Sequence, residues 1–438
     1  MGLRILWMSN TPWCSSGYGV QSKYLMPRFK ALGHEPGIFA FYGLQGGILN
    51  WQGFTMYPLA RDPYGNDVVE AHYKHFKADL LITLVDVWVL EDFPNKVKRW
   101  VPYMPVDHQP IQRIVLDHIK DAWKVIPYAK FGEVELRKAG VQNVSYIPHG
   151  VDVDVFKPLD DRNKYKRMLG FDETDFVVIM VQANKGNAPS RKNFDGQLRA
   201  FAQFAKRHPD AKLYMHTEPT SIWQGVNLPE MISNLSKWAD LPDLAERIHF
   251  CDRYENILGY PPEYMARAYN AADVCLMATM GEGFGIPTIE SQACGTPVIG
   301  TDATSTPELI TAGYRVRIAE PFYTPLASYQ FIPDTNDILN GLEWAYTRRA
   351  DTALRAAATR GMQQYSWDNV VESFWKPWLA QCEAEIRAEE PQLHQGVDVP
   401  RPPIMEATSA TAEIVQPPPV PAGYKAVLTE KGYVIEHA

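Results

Sequence analysis

At 438 residues the chain exceeds one ordinary domain and has room for two of Rossmann size. Its composition, 46% hydrophobic and 21% charged, is that of a globular protein, and no apolar run approaches the ~20 residues that a membrane span needs. A net charge of −8 argues against a surface that coats nucleic acid indiscriminately. The five cysteines (Cys14, Cys251, Cys275, Cys294 and Cys382) are scattered and include no Cys-x-x-Cys pair, which predicts a reduced, cytoplasmic protein without a structural zinc site. Met1 to Met8 reads as a first strand and not as a secretory signal.

Residues 4–8 predict a strand, followed by a loop of turn formers and a helix over about 21–32 that Gly33 ends. Further strands are expected at 35–41, 80–86, 99–106, 122–127 and 144–147, with helices such as 67–76 and 130–139 between them. Strands alternating with helices imply a parallel sheet covered on both faces. Ser16-Gly17-Tyr18-Gly19 looks like a dinucleotide fingerprint but lacks the third glycine and a clear acidic partner about 20 residues on. The stretch 42–64, with Trp51, Phe54 and Tyr57, reads either as a packed irregular excursion or as an acceptor platform. The strand before Asp107-His108 presents its carboxyl end there, where open parallel sheets bind ligands. His108 is therefore a candidate, with Asp107 either orienting its ring or capping the next helix.

The second half opens with a helix over 162–169 and a strand over 176–182. The loop 183–193 then carries Lys185, Arg191 and Lys192 to the start of a helix over 194–207. Cations between a strand and a helix N-terminus suit a diphosphate. Strands at 212–217 and 247–251 and a helix over 261–272 lead to the apolar run 273–278. Gly281-Glu282-Gly283-Phe284-Gly285-Ile286-Pro287 follows, with Pro287 in a first helical turn and Glu290 further along, before Gly295-Thr296-Pro297 and a strand over 298–301. A glycine loop feeding a helix N-terminus, with two carboxylates, fits an anionic ligand rich in hydroxyls. The alternative is a crossover loop whose glycines only turn the chain. Past Glu390 the composition becomes proline-rich, and the last residues suggest a small hairpin about Lys431-Gly432.

Glu282 to Glu290, with Ala293-Cys294-Gly295-Thr296-Pro297-Val298-Ile299 after it, resembles the Glu-seven-Glu motif of retaining glycosyltransferases, in particular glycosyltransferase family 4. Tyr146-Ile147-Pro148-His149-Gly150-Val151-Asp152 through Pro158 resembles that family's interdomain passage, Lys192 its phosphate-binding lysine, and Ser366-Trp367-Asp368 the start of its last helix. The resemblance spans about residues 1–390. It implies an α/β fold of GT-B type, with two Rossmann-like domains facing a central cleft: an acceptor domain (1–155) and a nucleotide-sugar donor domain (156–365). A crossover helix (366–390) would return to the first domain, and an extended tail (391–438) would follow.

The activity implied is metal-independent, cofactor-free, retaining transfer of a hexose-type sugar from a UDP- or GDP-linked donor to an acceptor hydroxyl. Glu282, His108 and Lys192 take the catalytic roles. Glu282 holds sugar hydroxyls, Glu290 the ribose, and the N–H groups of Gly283, Phe284, Gly285 and Ile286 the sugar and phosphates. Gly17 and Gly19 lie near the phosphates, and either Lys185 or Arg191 supplies the second cation. His149 supports the hinge. A nucleotide-sugar 2-epimerase, a glycogen-type phosphorylase and a non-catalytic nucleotide-sugar-binding module are the competing readings. A glycan, a lipid, a protein, a small molecule or modified nucleic acid all remain open as acceptor.

Overall fold

The computed structural model describes residues 2–14, 16–186, 189–221 and 224–389, and the backbone of two further strands near the C-terminus. The first sheet contains β1 (Arg4–Asn10), β2 (Glu35–Tyr42), β3 (Leu49–Trp51), β4 (Phe54–Tyr57), β5 (Leu80–Leu84), β6 (Trp100–Met104) and β7 (Ile126–Pro127), in the order β3-β4-β2-β1-β5-β6-β7. All its pairs are parallel except β3–β4. The second contains β8 (Phe176–Val181), β9 (Ala211–His216), β10 (Ile248–Phe250), β11 (Val274–Met277), β12 (Val298–Thr301) and β13 (Gly313–Val316), in the order β10-β9-β8-β11-β12-β13, all parallel. Leaving aside the edge strand β3, both sheets are wound 3-2-1-4-5-6, the doubly wound order whose switch point lies between the first and fourth strands. Near-continuous apolar strands such as Phe176–Met180 are buried because helices cover both faces.

The structure departs from the sequence expectations in three places. The stretch 42–64 is not wholly irregular: within it lies the β3–β4 hairpin, closed by Gln52 (φ 51°) and Gly53 (φ 83°) with the Asn50 side chain accepting from the Gly53 N–H. The strand expected at 144–147 reduces to one bridge, Val125 to Val144, and Pro148 has no N–H with which to extend a ladder. The first helix is Gly17–Ala31, starting four residues before the expected position, because the Ser16 hydroxyl caps it by accepting from the Gly19 N–H at 3.0 Å. Gly17 and Gly19 therefore lie in its first turn and not in a loop.

Two features join the halves. The C-terminal helical run from Trp367 to Glu389, which includes a π-helical stretch Val371–Trp375, returns to the first sheet. There Trp375 is fully buried, with its ring 5.1 Å from Phe29, 5.2 Å from Tyr103 and 6.3 Å from Trp7. Arg99 pairs with Glu389 at 2.9 Å and Lys124 with Glu385 at 2.7 Å along the same contact. The second feature is an antiparallel hairpin after β13, β14 (Ile318–Tyr323) and β15 (Tyr329–Pro333), which crosses to the segment after β6. The Gln109 N–H donates to the Tyr329 carbonyl at 3.0 Å, and the Ser328 hydroxyl donates to the Pro110 carbonyl.

Strands β16 (Tyr424–Thr429) and β17 (Gly432–His437) pair antiparallel, and the proline-rich stretch before them and the expected turn residue Lys431 lie outside the described residues. Among the described residues, no helix is long and apolar enough to cross a membrane.

Candidate active site

The carboxyl edges of the two sheets face each other across a cavity of about 620 Å³. On the second domain its lining comes from the ends of β8, β9 and β11 and the residues after them, with Asn256; on the first, from those that follow β1, β5, β6 and β7, with His149. Both switch points therefore open onto the same space, as the doubly wound topology requires.

Glu282 lies at the centre of the second-domain wall. Its carboxylate accepts from Lys192 Nζ at 2.6 Å and from Arg191 Nη1 at 3.1 Å, and Arg191 also donates to the Gly281 carbonyl. Burial opposes the charge on Glu282, but Lys192 and Arg191 outweigh it and hold the carboxyl at about 2, below its ordinary 4.5. The two cations thus favour the charged form of Glu282, which suits it to accept hydrogen bonds. Burial, and then the Arg191 charge, lower the Lys192 pKa. For Arg191 the same desolvation is overcome by Glu282 and Asp107, which raise it.

The triad is fixed by buried polar side chains. Gln197 accepts from the Ala278 N–H at 3.0 Å and donates to the Lys192 carbonyl at 2.7 Å, so the loops after β8 and β11 are tied to one amide. The Met280 N–H donates to the Arg191 carbonyl. Thr304 accepts from the Glu282 N–H at 2.9 Å, and the Ser305 hydroxyl donates to the carbonyls of Glu282 and Phe284. Asp302 to Leu309 thus braces the glycine loop from beneath.

The loop itself needs its glycines for two different reasons. Gly285 adopts φ 106° as it enters the helix Ile286–Ala293, a conformation that side chains disfavour. At Gly283 a Cβ would lie 2.6 Å from Pro105 Cβ on the opposite domain, so only glycine permits this approach. The N–H groups of Gly283, Phe284, Gly285 and Ile286 have no hydrogen-bond acceptor among the described residues and lie at a helix start. Phe284 turns its ring away, packing 5.1 Å from His149 and 6.3 Å from Tyr128.

Among the sequence candidates, Gly17, Lys185, Arg191, Lys192, Glu282, Gly283, Phe284, Gly285 and Ile286 all line the cavity. Three do not. His108 is buried, with Nδ1 2.7 Å from Asp107 Oδ1 and from the Gln112 amide and Nε2 3.1 Å from Thr324 on the β14–β15 hairpin. Both ring nitrogens are engaged, so His108 sits behind the wall and its neighbour Asp107 faces the cavity. Gly19 is also behind it: a Cβ there would meet the Cys14 carbonyl at 2.4 Å, which makes it a packing glycine. Glu290 accepts from the Tyr269 hydroxyl at 3.0 Å, and burial pushes its carboxyl up to about 7.

His149 lines the rear of the cavity, where the interdomain passage meets it. Its ring is 4.1 Å from Tyr128, its Nδ1 is 2.7 Å from the Tyr103 hydroxyl, and burial lowers it to about 3, keeping it neutral. Asp152 is bound by Tyr24 at 2.8 Å and caps the Asp154 N–H, a structural use of the passage's acids. Sequence reasoning missed Asp86, at the end of the apolar run that forms β5, although its position at a strand's carboxyl end is the signal that singled out His108. It also missed Tyr18 and Tyr128, whose hydroxyls are 3.5 Å apart in the cavity wall.

Residues 161–325 match the family described as glycosyl transferases group 1. The D-inositol 3-phosphate glycosyltransferase of Rhodococcus erythropolis is 27% identical over 352 residues, 78% of this chain and 69% of that protein. The protein of the same name from Geodermatophilus obscurus is 27% identical over 56% of this chain and 49% of its own length. Among solved structures, sucrose-phosphate synthase from Thermosynechococcus elongatus superposes with a TM-score of 0.66 at 18% identity, covering 88% of this chain and all of that one. Anabaena HepE in complex with UDP-glucose superposes with a TM-score of 0.63 at 15% identity, over 87% of this chain and all of HepE. The two facing parallel sheets are thus the GT-B scaffold that these solved structures share.

Proposed function

We propose that this glycosyltransferase moves a hexose-type sugar from a UDP- or GDP-linked donor to an acceptor hydroxyl, with retention of configuration and without a metal ion. The observation that carries the reading is the interlocked set Lys192, Arg191 and Glu282, beside four N–H groups that have no acceptor. Departure of the nucleoside diphosphate builds negative charge at the phosphate, and two cations with a helix start are the groups that stabilise it. Glu282, held in its charged form by the two cations, would orient the sugar hydroxyls. HepE is bound to UDP-glucose, which makes a uridine-linked donor the first to test. Retention follows from the resemblance of the Glu282–Glu290 motif to retaining enzymes.

The test is titration of UDP- and GDP-sugars by calorimetry or thermal shift, followed by transfer assays with stereochemical analysis of the product. Lys192→Ala and Glu282→Ala should each abolish transfer while the circular dichroism stays that of the wild type. Full activity in both variants would refute the site assignment. Conversion of the nucleotide sugar without any acceptor would point to an epimerase instead.

A further inference from the structure

The first-domain wall of the cavity differs in charge from the second. Its lining residues include two carboxylates, Asp86 and Asp107, three polar hydroxyl groups on Ser16, Tyr18 and Tyr128, and neutral His149. Among the described residues that line this wall there is no lysine or arginine. The cation nearest to it, Arg191, reaches across to Asp107 at 3.8 Å but is held by Glu282 and the Gly281 carbonyl. A phosphorylated acceptor would therefore place its charge against two acids, with no counter-charge on that side.

The two acids are not equivalent. Asp107 is occupied by His108 at 2.7 Å and by Gln330 at 3.4 Å. Asp86 has no side-chain hydrogen-bond partner among the described residues, although it lines the cavity and its backbone is anchored at the end of β5. A partly buried carboxylate whose donor is only its own backbone N–H is costly unless a ligand supplies more. Beyond the acids, the same sheet edge exposes aromatic rings. Trp88 stands two residues past Asp86 and is 42% exposed; Trp13 stands three before Ser16 and is 48% exposed, with its ring edge-on to Trp51 at 6.2 Å. Carboxylates that take hydroxyl hydrogens, on a sheet edge that also bears exposed indoles outside the cavity lining, are the complement of a sugar ring, which has polar edges and an apolar face.

We infer that the acceptor is an uncharged saccharide, with Asp86 accepting hydrogen bonds from its hydroxyls and Trp88 and Trp13 stacking on the sugars behind the reacting one. This rests on the proposed transferase reading and adds to it the class of acceptor. It separates the enzyme from a phosphorylated-inositol acceptor of the kind named in its relatives.

The experiment uses the full chain and the nucleotide sugar that binds best. Initial rates are measured with neutral mono-, di- and trisaccharides, with inositol phosphate and glucose phosphate, and with serine- and threonine-containing peptides. The expected result is transfer to a neutral saccharide, with a KM that falls as sugars are added. Asp86→Asn should raise the acceptor KM roughly 10–100-fold, the loss expected for a hydrogen bond to a charged group, while the donor Kd stays within about twofold. Trp88→Ala should raise the KM for trisaccharide more than for monosaccharide. Transfer to the phosphorylated acceptors or the peptides alone, no transfer to any neutral saccharide, or an unchanged acceptor KM in Asp86→Asn would each overturn the inference. Failure to bind any nucleotide sugar would instead remove the transferase reading on which it stands.

Discussion

The two walls of the cavity are built by the same strand order and carry opposite chemistry. On the second domain, Lys192 and Arg191 converge on Glu282, and Gln197, Thr304 and Ser305 lock the loops that bear them. On the first domain, Asp86 and Asp107 stand among tyrosines, and Asp86 is held by no other side chain among the described residues. One wall is a finished set of contacts between side chains, fixed before any ligand arrives. The other presents two carboxylates and two tyrosine hydroxyls. The doubly wound topology dictates where each site lies, at the switch point of each sheet, but the loops alone decide what it binds.

The largest expected effect on this contrast comes from breaking the finished wall. Lys192→Ala should lower kcat/KM by roughly 10²–10³-fold or more, as removal of a preorganised charge-stabilising donor does, and should weaken nucleotide binding in a direct titration. A loss of the same size in an Asp86→Asn variant's donor affinity would erase the division between the walls. Next comes the contact between them. Gly283→Val pushes a side chain into Pro105 and should cost about 1–3 kcal/mol of stability, read from denaturant unfolding, because the clash is with the fixed ring and backbone of the other domain.

A smaller effect tests how tightly the domains are latched. The Glu308 carboxylate crosses the gap to accept from the N–H groups of Lys130 and Phe131, capping the helix Lys130–Lys138 of the first domain. Glu308→Ala should cost about 1 kcal/mol, the usual value of a lost cap, with hydrogen exchange at Lys130 and Phe131 speeding up. The last prediction concerns pH. Glu282 is depressed from 4.5 to about 2, so the stability it contributes is complete above 4.5 and is lost as pH falls toward 2. Unfolding free energies measured across that window should fall less steeply in Glu282→Gln than in the wild type; parallel curves would show that the pairing contributes nothing.

The second-domain wall was far more legible in the sequence than the first-domain wall, and the reason is local. Glu282, Gly283 and Gly285 sit within four residues of one another, and Lys192 lies in a short loop after a strand, so spacing along the chain carries their geometry. Asp86 and Tyr128 come from separate segments, and although Asp86 stands at a strand's carboxyl end as His108 does, only the fold brings it and Tyr128 to one wall. For His108 the sequence showed the strand end but not the facing of the side chain. It occupies the correct end of β6, but a one-residue step there exchanges the cavity for the interior. Asp107 faces in, and His108 is bound by Thr324 from a hairpin more than 200 residues away. The β3–β4 hairpin did leave a signal in Gln52-Gly53 between apolar residues, a two-residue turn of the kind that joins antiparallel strands.

By itself the sequence determined the alternation of strands and helices, because apolar runs and turn residues act over a few positions. It also determined the glycine loop with its acid, because backbone approach and left-handed φ restrict the residue type at the position itself. Only the tertiary structure decided which of two adjacent side chains faces the cavity, that Arg191 and Lys192 share one carboxylate, and that the opposite wall is acidic. Those properties depend on the distance between loops far apart in the chain. Packing of Trp375 into the first core and of the β14–β15 hairpin against Gln109 sets that distance, and no short stretch of sequence contains it.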